Sequence, residues 1–156
     1  MPAALKLDHV AMPIRDVAGT HRFYTEVLGL PLLAAHAGDD WGGREWLTMI
    51  FGVGDARQII LTAFRGTPGP LTDGLPEDAR HIALAADSKR ELQGWRQRLE
   101  QKGIAFREED HGAQRSLYFK DPNGIILEVT APASAAISSP PGKQAAETVA
   151  LWLKGK

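Results

Sequence analysis

The chain has 156 residues, with 18 Lys plus Arg against 19 Asp plus Glu and no cysteine, a length that suits one domain with a proper core. Nearly cancelled charge with no like-charged block argues against nucleic-acid or membrane-surface binding by electrostatics. The missing thiols exclude disulfides, zinc–thiolate centres and cysteine nucleophiles together.

Residues 1–6 have no apolar signal core, and no apolar run approaches membrane-spanning length, so a soluble, cytoplasmic protein is expected. Residues 5–14 read as a strand. Asp16 then offers an N-cap to a helix ending at Leu28, and Gly29 suits a left-handed C-cap. Residues 30–35 read as a second strand and the polar, glycine-bearing stretch 38–43 as a loop. Two further strands, 45–51 and 57–64, are joined by a turn over 52–55. The Gly52-Val53-Gly54 run leads into a strand rather than a helix, which removes the usual reason for reading a phosphate loop. The proline- and glycine-rich segment 66–78 reads as a linker. After it come a strand over 81–86, a helix capped by Asp87 or Ser88 and running to Lys102, and strands near 105–108, 115–120 and 125–130. The last two are joined by the turn Asp121-Pro122-Asn123-Gly124. The basic residues of that helix, among them Lys89, Arg96 and Lys102, alternate with Glu91 and Glu100 and fit a solvated face. Past Ala131 the composition shifts to Ala, Ser and Pro. The tail ends in a short amphipathic helix with Val149 and Trp152, expected to pack on the domain or on a neighbour.

The order of elements occurs twice, as two βαβββ units over about 5–65 and 79–131. Each unit opens on a strand histidine, His9 or His81. An aromatic follows fourteen residues later, Phe23 or Trp95, and each helix closes on Gly29-Leu30 or Gly103-Ile104. Alternation along the strands places Val10, Met12 and Ile14 on one face and His9, Ala11 and Pro13 on the other. In the second unit Ile82 and Leu84 oppose His81, Ala83 and Ala85; in the last strand Leu127 and Val129 oppose Ile126, Glu128 and Thr130. A carboxylate in so apolar a strand is costly to bury alone. Two imidazoles and one carboxylate converging on a divalent cation would remove that cost. The plainer alternatives are rim histidines and a Glu128–arginine ion pair.

These residues resemble the vicinal oxygen chelate superfamily, which includes glyoxalase I, extradiol dioxygenases, fosfomycin-resistance enzymes and bleomycin-resistance proteins. The resemblance spans 5–131. It is carried by Leu7-Asp8-His9-Val10-Ala11, by the run from Phe23 to Leu30, by Arg80-His81-Ile82-Ala83, and by the run from Tyr118 through Asp121-Pro122-Asn123-Gly124 to Glu128. It implies an α+β fold in which two βαβββ repeats form a curved mixed sheet around a metal cleft, with His9, His81 and Glu128 as metal ligands. His111 and Tyr118 fall where extradiol enzymes hydrogen-bond a bound oxygen; a bulge at Ile125 would bring Tyr118 opposite Glu128. Four departures discriminate within the superfamily. Ile60 occupies the place of the first-unit glutamate typical of glyoxalase I, and Ala11 the place of a fosfomycin-enzyme threonine. Glu109 is unusual for the extradiol signature, and Gly66 and Thr67 stand where larger extradiol enzymes carry a further histidine.

The resulting expectation is a single domain over 1–156 with a tail from 132. It is a metal-dependent enzyme with Fe(II) or Mn(II) favoured and Zn or Ni as alternatives. Its substrate is a small molecule chelating through adjacent oxygens, and its chemistry is dioxygenase-like. The alternatives are a glyoxalase I-type lyase and a bleomycin-resistance-like binding protein using aromatics such as Trp41 and Trp46. A linker of about thirteen residues reaches up to ~45 Å, so the cleft can close within one chain or between two. A C2 homodimer is expected.

Overall fold

Each repeat forms its own four-stranded mixed sheet in this computed structural model, which describes residues 7–66 and 74–132 together with 148, 152 and 153. The first unit comprises β1 (His9–Ile14), α1 (Val17–Arg22) running on into a π-turn (Phe23–Val27), β2 (Leu32–Trp41), β3 (Arg44–Val53) and β4 (Arg57–Phe64). The second comprises β5 (His81–Ala85), α2 (Lys89–Gln101), β6 (Phe106–Asp110), β7 (Arg115–Lys120) and β8 (Ile126–Ala131). Strand orders are β1-β4-β3-β2 and β5-β8-β7-β6, with parallel β1/β4 and β5/β8 pairs and no closure into a barrel. This is the expected α+β architecture of two βαβββ repeats.

Local chemistry explains the helix limits. The Asp16 carboxylate accepts from the Gly19 N–H at 2.8 Å, and the Ser88 hydroxyl accepts from the Glu91 N–H at 3.2 Å, so both helices have N-caps. Both end at a left-handed glycine, Gly29 at φ +70° and Gly103 at φ +67°. Two expectations need correction. The stretch 38–41 is not loop but the end of β2, and only Gly42 and Gly43 form the turn. Gly38 lies under the Trp46 ring, where a Cβ would come within 2.9 Å of a ring carbon. The helix expected to reach Leu28 also leaves α-geometry at Phe23.

One hydrophobic cluster joins the inner faces of both sheets to the helices. Phe51, Leu61, Leu99 and Leu127 are fully buried within it. The units are tied through the start of α1. Asn123, in the β7–β8 turn, accepts from the Arg15 and Asp16 N–H groups at 2.9 and 3.0 Å and donates to the Thr20 hydroxyl at 2.7 Å. The Tyr24 hydroxyl donates to Asp121 at 3.4 Å, Arg98 donates to the Val27 carbonyl at 2.6 Å, and Phe23 packs on Phe119. The duplication extends to buried hydroxyls, since Thr48–Thr62 (2.8 Å) and Ser116–Thr130 (3.0 Å) sit at matching register. Among the described residues no helix is long and apolar enough to cross a membrane. Val149 and linker residues 67–73 lie outside the described residues; Trp152 is 82% exposed.

Candidate metal centre

Register decides which side chains share the polar face of the second sheet. His81 pairs with Ile126 and Ala83 with Glu128, so His81 and Glu128 project on one face, two residues apart along adjacent strands. Tyr118 lies directly opposite Glu128 on β7. The chain from Asp121 to Ile125 makes that alignment: the Asp121 N–H donates to the Ile125 carbonyl, and the Asp121 carboxylate accepts from the Asn123 and Ile125 N–H groups. Tyr118 is therefore on the face of Glu128, the alignment expected from a bulge at Ile125.

His81 Nε2 stands 3.1 Å from Glu128 Oε2, and His81 Nδ1 is 2.9 Å from the Asp78 carbonyl. A carbonyl only accepts, so Nδ1 carries hydrogen, and Nε2 faces the carboxylate. Two lone-pair donors this close need a shared proton or a cation between them. The donor set, imidazole Nε2 with carboxylate and an Nδ1–H anchored by a backbone carbonyl, fits a divalent metal. His9 is prepared in the same way, with Nδ1 donating to Asp8 at 2.6 Å and, among the described residues, no hydrogen-bond partner on Nε2. The side chains of His9, His81 and Glu128 are 46%, 35% and 10% exposed, so only Glu128 is sunk into the sheet.

The structure brings together His81, Glu128, Tyr118 and His111, but His9 does not join them. Among the described residues no three His, Asp or Glu side chains lie within reach of one ion. Within a single chain the three expected ligands are therefore split between the sheets, two on the second and one on the first. His111 Nε2 is 3.3 Å from the Tyr118 hydroxyl and 3.6 Å from Glu109. Burial, then the hydrogen bond to the Glu128 carboxylate, holds the Tyr118 phenol above its usual range, so it keeps its proton at neutral pH.

In the first sheet the register equivalent of Glu128 is Ile60, which pairs with Ala11 as Glu128 pairs with Ala83. Ile50 likewise replaces Tyr118. The first face instead carries an aromatic corner: Trp41 meets Phe64 and Trp46 edge-on at 5.1 and 5.8 Å. Two supporting groups escaped sequence reasoning. Asp78 lies in a 3-10 turn (Glu77–Ala79) just before β5, inside the stretch read as linker. Arg107 becomes visible only once the β6–β7 register sets it opposite Tyr118.

No curated protein matches the chain significantly. Among solved structures, a glyoxylase/bleomycin resistance protein/dioxygenase domain from Frankia sp. EAN1pec is 26% identical with TM-score 0.67, covering 82% of this chain and 98% of its own. A variant of the fosfomycin resistance protein FosX from Listeria monocytogenes, complexed with Mn(II) and 1S,2S-dihydroxypropylphosphonic acid, is 16% identical with TM-score 0.63, covering 85% and 96%. Lactoylglutathione lyase from Agrobacterium tumefaciens is 22% identical with TM-score 0.59, covering 83% and 93%. The sequence profile of the Glyoxalase/Bleomycin resistance protein/Dioxygenase superfamily matches residues 6–129, and the chain belongs to that superfamily.

Proposed function

We propose that this chain is a divalent-metal-dependent enzyme with His9, His81 and Glu128 as ligands, acting on a small molecule that presents two adjacent oxygens. Fe(II) or Mn(II) is favoured over Zn(II) or Ni(II), because an open two-histidine, one-carboxylate set suits them. The observation that supports this most is the Nε2-to-carboxylate approach of His81 and Glu128 at 3.1 Å beside a protonated phenol. A divalent ion there would polarise the oxygens of a chelating substrate. The chain's own groups supply the rest. Tyr118 donates a hydrogen bond to a substrate oxygen, and His111 takes or returns a proton through that hydroxyl. Dioxygenase-like chemistry on a catechol-type compound is preferred to glyoxalase-type isomerisation, because Ile60 offers no first-unit carboxylate. The aromatic corner of Trp41, Trp46 and Phe64 favours a second reading, in which the protein sequesters a flat molecule without turning it over.

Oxygen uptake with a catechol panel separates these readings, since isomerisation consumes no O₂ and sequestration gives tight binding with no turnover. Elemental analysis after anaerobic loading with each of the four metals tests the ligands. Wild type should bind at least one metal far more tightly than His81→Ala, and equal binding would end the enzyme reading.

The proposal extends to assembly. The units of one chain are joined through α1 and the β7–β8 turn, while His9 and His81 both remain partly solvent-accessible. A C2 homodimer that sets His9 of one protomer beside His81 and Glu128 of its partner completes the ligand set twice.

A further inference from the structure

The far end of the first sheet carries side chains that the proposed metal centre does not use. On β2, Gly38 stands opposite Trp46 and Trp41 opposite Arg44, so β2 holds an extra residue there. Without that bulge the alternation of side chains would turn Trp41 to the other face of the sheet. With it, Trp41 joins Trp46 and Phe64, which are direct partners across β3 and β4. Its ring stands at 79° to each of theirs. The backbone beneath is fitted to the rings. Gly38 lies bare under Trp46, and Asp40, within the bulge, accepts from Trp46 Nε1 at 3.0 Å. That spends the indole N–H, so Trp46 offers a ring face rather than a donor. Trp41 is 54% exposed, so the corner is reached from solvent.

The charges around the corner select among ligands. Glu45 is paired with Arg65, whereas among the described residues Asp40 makes no ion pair. The cation–π contacts among the described residues lie elsewhere, Arg98 on Trp95 and Arg107 on Tyr118. Arg44, opposite Trp41, therefore repels a visiting cation without taking its place. Perpendicular aromatic rings with a carboxylate at their edge suit an organic cation, which is drawn to the negative face of a ring. A neutral flat molecule would gain contact area but nothing from Asp40. The geometry points to a ligand site for a small quaternary or methylated ammonium group at Trp41, Trp46 and Phe64, with Asp40 as its counter-charge. This rests on the sequestration reading for its place and narrows that reading from any flat molecule to a cation. It is separate from the metal centre: along β4, Phe64 stands ~20 Å of strand from Gln58, the partner of His9.

The test uses the full chain, ¹⁵N-labelled and kept free of metal by a chelator. Choline is titrated in parallel with 3,3-dimethylbutan-1-ol, its uncharged carbon isostere, and with indole as a flat neutral probe. The Trp46 indole N–H signal, identified by its loss in Trp46→Phe, reports binding. Choline should move it along a saturating curve and bind about tenfold more tightly than the isostere. Trp41→Ala should weaken choline by a similar factor. Asp40→Asn keeps an acceptor for the Trp46 N–H and removes only the charge, so it should weaken choline about threefold or more and leave the isostere unchanged. Arg44→Gln should strengthen choline alone. Equal affinity for choline and its isostere, or choline binding indifferent to Asp40→Asn, overturns the cation site, and indole binding would then leave the sequestration reading standing. No shift with any of the three probes overturns both.

Discussion

His9 and His81 have each committed Nδ1 to an oxygen, a carboxylate in one case and a carbonyl in the other, and His81 turns Nε2 to Glu128. Tyr118 is the group that separates binding from chemistry at this site. It touches Glu128 and His111 without being a metal donor in the proposed set. Tyr118→Phe should therefore retain metal binding by elemental analysis while turnover falls about 10²–10⁴-fold, the usual worth of a positioned acid or base. The other tyrosine, Tyr24, is fully buried against Phe51 with its hydroxyl on Asp121. Burial first, then the neighbouring Asp121 charge, pushes its pKa far above the usual value near 10. A raised folded-state pKa means the stabilisation is complete below the unfolded value and is lost as pH rises above it. Above about pH 10 the unfolded chain releases a proton that the folded chain keeps, so stability falls with pH. Urea melts at pH 8 and pH 11 should show that loss in wild type and a smaller one in Tyr24→Phe. An equal loss in both would place the alkaline sensitivity elsewhere.

At the scale of elements, the β7–β8 turn does most to seat one unit on the other. Asn123 uses both ends of its amide, accepting from two N–H groups ahead of α1 and donating to Thr20 within it. Asn123→Ala would leave those α1-entry donors without their acceptor and should lower the unfolding free energy by about 2 kcal/mol. The denaturant slope should not change, because the surface exposed on unfolding is the same; a shift under about 0.5 kcal/mol would mean water substitutes freely. Much of this level was legible in the sequence. Period-two alternation assigned the faces of β1, β5 and β8 correctly, and Asp16, Ser88, Gly29 and Gly103 marked the helix limits. The end of β2 was not legible, because Gly38, Asp39 and Asp40 have loop composition. They form strand because β2 is an edge whose charges stay solvated and because Trp46 needs the bare backbone of Gly38 beneath it. Arg107 carried no signal at all: its meaning comes from standing opposite Tyr118.

At the scale of the whole molecule, sequence periodicity fixes which residues share a sheet face but says nothing of which sheet face meets which. That is why His9, His81 and Glu128 could each be placed on a face while their separation within one chain was not foreseeable. The equivalent register positions also show that the repeats have diverged in chemistry. Glu128 and Tyr118 in one sheet answer to Ile60 and Ile50 in the other. An active dimer of the proposed kind needs the first face of one chain against the second face of another. Single variants cannot prove that, since His9→Ala and Glu128→Gln should each abolish metal binding under either arrangement. Mixing can. If ligands come from two chains, unfolding and refolding the two variants together builds hybrid dimers in which one site has both lesions and the other has none. Half of the dimers formed at random from an equimolar mixture are hybrids, so metal content and turnover should return to about one quarter of wild type. If each chain carries its own site, every site in the mixture keeps a lesion and nothing returns. Light scattering on the same samples checks the assembly itself. A dimeric mass with no recovery would retain the homodimer but place the ligands within one chain, and a monomeric mass would remove both.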